Sequence, residues 1–285
     1  MLWLSQEVFE NARVNTIISI IQKAAPGNVF VYICDPSKNK NISILQERLY
    51  EQKKFISEDY FIGIFETGLD STLLDKLIRI SRPLKDFARP CTGYNPYEVG
   101  KGKSPKGGPQ TEETVRTKPY HSTEKLGPEW KPEIIGRDLE RYCVKVTGKR
   151  WINYGSWLAA PRDSGNFLGK RILVQEITGG HDRRIVAGFF NGELYHSRDV
   201  IPIKFDNEII NPFYILGIIN SRLITWYHHM RNPKAQKALF PKVLVSDLSN
   251  LPMRNINFSD PAEKTTHDRM VSLVERMLSL HKQSA

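Results

Sequence analysis

Along this chain the spacing of apolar residues switches repeatedly between strand-like and helix-like periods. "RVNTIISIIQK" (13–23) and "NVFVYICD" (28–35) are β-branched and aromatic runs parted by "AAPG", which predicts two strands joined by a turn. From about Ser43 to Lys54 the spacing is helical. It is helical again in "LDSTLLDKLIRIS" (69–81), where Leu73, Leu74, Leu77 and Ile78 share a face and Asp70 or Ser71 would cap the N-terminus. Between Tyr142 and Ile210 short strand-like runs dominate: "YCVKV", "KRILVQEI", "RIVAGFF" and "VIPIKF", with Gly, Asp and Asn between them. "NPFYILGIINSRLITWYHHM" (211–230) then predicts one helix with Asn211 at the N-cap and Pro212 at N1. "KVLVSDL" (242–248) predicts another short strand. Asp260-Pro261-Ala262-Glu263 opens a last helix with Met270, Leu273, Val274, Met277 and Leu278 on one apolar face. No Gly or Pro stops that helix, so the reading expects a chain cut short there or a helix docked on something else. No internal repeat or low-complexity run is present.

The interval 83–132 breaks these patterns. It holds about half of the 17 prolines, many glycines and no long apolar period, which predicts a linker or a long functional loop. Charge is concentrated in the same region. The whole chain of 285 residues carries a formal +10, and residues 81–150 contribute 15 Lys and Arg against 9 Asp and Glu. Such a balance favours an acidic partner such as nucleic acid. The length admits one large domain or two modest ones. Cys34, Cys91 and Cys143 lie far apart without CxxC pairing, and "MLWLSQEVFE" lacks the build of a signal peptide; a reduced, cytoplasmic protein is expected. The most hydrophobic window, 213–230, contains Asn220, Arg222, His228 and His229, and is too polar and short for a membrane span.

Candidate catalytic motifs fail on context. In "GYNPYEVGKGKS" (93–104) the "GKS" suggests a P-loop. The glycine that loop requires would stand at position 97, which is Tyr97, and Pro105 follows where a helix should run. "NPY" suggests a shortened adenine-gripping NPPY tetrapeptide, but no buried strand or glycine-rich cofactor unit precedes it, and Asn-Pro is by default a turn. The seven histidines form no HExxH or zinc-spaced cluster, and no metal site is expected. His228 and His229 sit at a helix end, where His commonly complements the dipole. Asp163, Glu176, Asp199 and Glu208 lack the lysine that would make them nuclease-like, and no GxSxG elbow occurs. No catalytic residue is assigned.

The positive signal is basic residues interleaved with aromatics in "GRDLERYCVKVTGKRWINYGSWLAAPRD" (136–163). Arg137, Arg141, Lys145, Lys149, Arg150 and Arg162 could meet phosphates or guanine edges, beside Tyr142 and Tyr154. Trp151 and Trp157 fit a β-domain core better than DNA.

Five blocks in this region carry a resemblance: "IIGRDLERY" (134–142), "WINYGSWLAAPRD" (151–163), "FLGKRILVQEITGG" (167–180), "FYILGIINSRLITWYHH" (213–229) and "LFPKVLVSDLSNLPM" (239–253). In order and spacing, over roughly 83–255, they resemble the TaqI-like C-terminal specificity domain, the target recognition domain of adenine-N6 DNA methyltransferases and single-chain type II restriction–modification enzymes. "VFENARVNTIISIIQK" (8–23) is similar to the final strands of the methyltransferase domain that precedes it. "DRMVSLVERMLSLHKQ" (268–283) resembles the helix that follows it. The resemblance implies a mixed α+β, β-rich recognition domain with long basic loops and peripheral helices. Its boundaries would be 1–82 for the methyltransferase edge and connecting helices, 83–258 for the specificity domain and 259–285 for the last helix. It implies double-stranded DNA as partner, together with a methyltransferase catalytic domain or subunit. The cofactor loop and NPPY motif are not in this sequence, so no cofactor is expected here, S-adenosylmethionine belonging to the parent enzyme. The alternatives are an active or partner-dependent adenine-N6 methyltransferase or restriction enzyme, and a separate specificity subunit.

On this reading the DNA-facing loop is 94–132, with Lys101, Lys103, Lys106, Arg116 and Lys118 on phosphates. Arg137, Lys149 and Arg150 would lie nearby, and Arg141, Tyr154, Arg162, Arg183, Arg184, Lys234 and Lys237 complete the candidate set.

Overall fold

A computed structural model describes residues 2–4, 16–20, 27–36, 42–51, 68–178, 185–206, 210–232 and 241–283. The chain divides into two units, Met1–Thr67 and Gly68–Ala285.

The first unit contains a sheet ordered β2-β1-β3-β4, built from β1 (Leu2–Leu4), β2 (Thr16–Ile18), β3 (Asn28–Pro36) and β4 (Ile42–Glu51). β1 runs parallel to β3 and antiparallel to β2, while β3 and β4 pair antiparallel from Asn28↔Glu51 to Pro36↔Ile42. Of the two expected strands, 28–35 is present in β3, and 13–23 is a strand over Thr16–Ile18, with 13–15 and 21–23 outside the described residues. The helix expected over 43–54 is a strand as far as Glu51, and 52–54 lie outside the described residues. "ISILQERLYE" has apolar residues that satisfy either period, and the long ladder with β3 decides between them.

The second unit opens with α1 (Gly68–Arg79), β5 (Ser81–Pro83), β6 (Arg89–Pro90) and α2 (Glu112–Thr117). α1 starts at Gly68, so Asp70 and Ser71 lie in its first turn and not at the position before it. β7 (His121–Ser122), β8 (Trp130–Ile134), β9 (Leu139–Glu140), β10 (Cys143–Val144) and β11 (Trp151–Asn153) follow. Then come β12 (Lys170–Gln175), β13 (Ala187–Asn191), β14 (Tyr195–His196) and β15 (Val200–Lys204). The chain closes with α3 (Pro212–Ile219), α4 (Arg222–Arg231), α5 (Val245–Ser249), β16 (Pro252–Arg254) and α6 (Pro261–Gln283).

Two four-stranded sheets organise this unit, one ordered β13-β12-β15-β6 and the other β14-β8-β11-β7. β12 is central in the first, antiparallel to both neighbours, and Arg171, Ile172, Leu173 and Val174 are all buried. A short apolar run buried on both faces is what a central strand requires. Ile172 and Val174 face the main core, with Leu74 and Leu77 of α1, Ile215 and Ile219 of α3 and Val274 of α6. Leu173 joins Ile134, Leu139, Leu194 and Val200 in a smaller cluster. A third, aromatic cluster gathers Tyr94, Tyr120, Ile152, Leu158, Phe167 and Tyr195.

The single helix expected over 211–230 is two. Asn211 caps α3 as expected, its side chain accepting from Phe213 N at 2.8 Å. At the other end Asn220 turns its amide to β13, donating to Ala187 O at 2.9 Å and accepting from Ala187 N at 3.1 Å, and Ser221 caps α4 by accepting from Ile224 N. The strand expected over 242–248 shrinks to a bridge between Ile177 and Lys242. Asp247 Oδ2 accepts from Leu244 N at 2.9 Å and turns the rest into α5. On α6 only part of the expected face is covered: Val274 is buried, whereas Leu273 and Met277 are exposed. No helix among the described residues is long and apolar enough to cross a membrane.

Candidate nucleic-acid interface

The stretch 83–132, unpatterned in sequence, is a built piece of structure. Asn95 pairs with Ala160 in both directions at 2.9 Å, so the "NPY" segment is extended backbone and not the expected turn. Gly93 lies so close to β14 that a Cβ would stand 2.0 Å from Ser197 O. Tyr94 then enters the aromatic cluster, edge-on to Tyr154 and Phe167, and its hydroxyl donates to the buried Glu133 carboxylate. Burial foremost, then Glu133, pushes the Tyr94 phenol well above its ordinary range. His121 Nε2 lies 3.1 Å from the same Glu133 oxygen, and its Nδ1 lies 2.9 Å from the Tyr97 hydroxyl. That hydroxyl also accepts from Tyr120 N. This polar network ties the arm to β7 and β8.

The "GKGKSPKGG" segment is a tight hairpin. Gly100 N donates to Gln110 O and Gln110 N to Lys101 O, while Ser104 and Gly107–Gly108 close its tip. Gly102 has φ +59, and a Cβ there would meet Trp157 O at 2.4 Å, so both conformation and space demand glycine. Gln110, 1% exposed, holds the hairpin: its Oε1 accepts from Glu98 N, and its Nε2 donates to Pro96 O and Trp157 O, each at 3.0 Å.

This framework sorts the candidate cations. Lys101 pairs with Glu98 at 2.6 Å and Lys106 with Glu113 at 2.8 Å, and these hydrogen bonds pull both carboxyls below their usual range. Lys103, Arg116, Lys118, Arg137 and Lys149 are exposed, and none makes a side-chain hydrogen bond or ion pair among the described residues. Lys118 ends α2 in the left-handed region at φ 50, an uncommon conformation for a residue with a side chain. The remaining candidates are engaged internally. Arg141 donates to Asn220 O at 2.7 Å, Arg150 stands 4.0 Å from Asp138, and Arg162 donates to Pro161 O. The Tyr154 hydroxyl is held by the backbone of Arg162. Arg183, Arg184, Lys234 and Lys237 lie outside the described residues.

Trp157 packs on the aromatic cluster, and Trp151 is half-buried on β11 with its indole N–H donating to Gly148 O at 3.0 Å. The scattered carboxylates are structural. Asp163 caps a turn, Glu176 pairs with Lys242, and Asp199 accepts from Gly136 N and Ser197 Oγ; Glu208 lies outside the described residues. No group of three metal-ligating residues occurs among the described residues.

Sequence reasoning missed two buried polar groups. Arg171 is fully buried and donates to Gly169 O, Gly192 O and Leu194 O at 2.7–2.8 Å, with burial lowering its pKa to about 10. Its position on a strand buried on both faces was the available signal. His196 is also buried, and its pKa falls to about 3. His228, expected as a cation at a helix end, is buried and pushed down to about 4, so it stays neutral and does not complement the dipole.

Residues 131–253, from β8 to β16, match the family described as the TaqI-like C-terminal specificity domain. This stretch is a TaqI-like specificity domain. The hairpin arm at 94–122 lies before the matched part. The specificity domain and its flanks are 24% identical, over 261 residues, to a Methanocaldococcus jannaschii protein named as a type II restriction enzyme and methyltransferase. That alignment covers 89% of this chain and 20% of the relative, so the chain spans about a fifth of its length. Among solved structures, the HsdS subunit of Thermoanaerobacter tengcongensis is similar at 14% identity and a TM-score of 0.37, covering 76% of this chain and 46% of that one. The type IIL restriction–modification enzyme MmeI, solved in complex with DNA, is similar at 10% identity and a TM-score of 0.44, covering 87% and 33%.

Proposed function

We propose that this chain is the double-stranded DNA recognition part of an adenine-N6 restriction–modification enzyme, choosing the sequence while another domain or subunit methylates it. The match of residues 131–253 to the specificity domain carries this reading. S-adenosylmethionine would be bound by that other part. Exposed cations without internal partners are the residues suited to phosphates, because a lysine already held by a carboxylate must break that pair first. Lys103, Arg116, Lys118, Arg137 and Lys149 meet this condition.

The test is duplex binding by the whole chain across a salt series. If all five cations sit on phosphates, log affinity falls against log salt with a slope of about −4.5, at about 0.9 per contact. Absence of binding to any duplex, or binding indifferent to salt, overturns the proposal. Calorimetry with S-adenosylmethionine is expected to show no binding by this chain, and stoichiometric binding would instead make it a methyltransferase in its own right.

A further inference from the structure

Two loops meet over Trp151. β7 and β8 both run antiparallel to β11, one on each side of it, with Ser122↔Trp151 and Pro132↔Trp151 in register. The connection 123–129 must therefore return across β11, and it brings the Lys125 ammonium 5.7 Å from the centroid of the Trp151 ring. From the other side the loop between β10 and β11 turns at Gly148, φ +67, and its carbonyl fixes the Trp151 indole. Trp151 is thus a pillar that sets the distance between the two loops.

Each loop presents an exposed lysine and an exposed aliphatic side chain. Lys125 stands beside Leu126, which is 65% exposed, and Lys149 lies three residues after Val146, which is 45% exposed. Neither lysine side chain forms a hydrogen bond or ion pair among the described residues. Glu124 and Glu129 share the first loop, and they too form no ion pair there among the described residues. Free acids next to free lysines make a poor sink for anions in general. They favour a ligand whose charges sit at fixed spacing with apolar and donor groups between them, as phosphates and base edges do in a DNA groove.

We propose that the loops 123–129 and 145–149, fixed by Trp151, form one DNA-reading tip in which Lys125 and Lys149 contact backbone phosphates and Leu126 packs against base edges. This rests on the DNA-recognition reading above and adds to it the residues that would set sequence preference. Duplexes selected from a randomised library by the wild-type chain supply the probe; failure of selection would strike the DNA reading itself, not the tip. On the selected duplex, K125Q/K149Q is expected to lower the salt slope by about 1.8, and Leu126→Ser to relax base preference at one position while leaving the slope unchanged. The K76Q/K282Q variant carries the same net charge change on α1 and α6, and should keep the wild-type slope. A wild-type slope in K125Q/K149Q, or an equal loss in K76Q/K282Q, overturns the phosphate contacts. An unchanged selected sequence with Leu126→Ser overturns the base contact.

Discussion

His196 shows what one buried side chain does to the behaviour of the fold. It packs against the edge of Phe167, its Nδ1 lies 3.3 Å from Ser197 O, and burial foremost holds it neutral, with Arg171 pressing in the same direction against the backbone of Ser197 and Val200. Its folded pKa, about 3, lies below the ordinary value of 6.5. The unfolded chain therefore takes up the proton first, so the stability tied to this group is complete above about pH 6.5 and is lost as pH falls toward the folded value. Between pH 6.5 and 5 the loss should be about 2 kcal/mol for His196, and His228 adds to it in the same direction. Urea unfolding at pH 7, 6 and 5 reads this directly. His196→Gln should be less stable at pH 7 but shallower with pH, and an unchanged pH slope would remove His196 as the source. The sequence showed seven histidines and nothing to rank them, since burial is a tertiary property. Arg171 was closer to legible: in "KRILVQ" a charge amid residues apolar on both faces has no solvent side to occupy, so it must find carbonyls.

Elements were readable where local signals agreed, and misread where a long-range partner decided. Asn211-Pro212 is a local start signal and it held. The period of β4 was ambiguous until β3 paired with it, and α5 depended on one aspartate capping a turn that looked like a strand. The break between α3 and α4 sits at Asn220-Ser221, a pair that disfavours helix interior and favours a cap, so that boundary was available to a stricter reading. Asn220 also joins this break to β13 through both of its amide atoms. Asn220→Ala should destabilise the second unit by about 1–3 kcal/mol, because the buried N–H of Ala187 loses its partner while its C=O keeps the bond from Tyr142 N. Chemical denaturation measures it, and a cost below about 1 kcal/mol would mean that the two helices are held by packing alone.

At the scale of the whole chain, the net charge and the basic stretch pointed to an acidic partner, and the five blocks pointed to the specificity domain that residues 131–253 match. What composition concealed was order. A stretch rich in Pro and Gly and without apolar period looked like a loop, yet its tyrosines fill a core and Gly93 and Gly102 serve close approaches. Aromatic residues spaced irregularly along extended backbone leave no periodic trace, which is why Tyr94, Tyr97 and Tyr120 could not be seen as one cluster. The candidate cations were visible as charges only, and which of them are spent on internal carboxylates is a matter of geometry.

The Gln110 clasp has a thermodynamic consequence. Because the arm at 94–122 is folded against Trp157 before any ligand arrives, it surrenders little conformational entropy on association and exposes no new apolar surface to be buried by folding. Binding should therefore show the heat-capacity change of two rigid surfaces meeting. If the arm instead folded on contact, ΔCp would be more negative by roughly 0.4 kcal/mol/K for an arm of this length. Titration calorimetry at several temperatures distinguishes the two, and Gln110→Ala should move the wild-type value toward the folding-coupled one. A wild-type ΔCp already carrying that excess would show that the clasp does not hold the arm in solution.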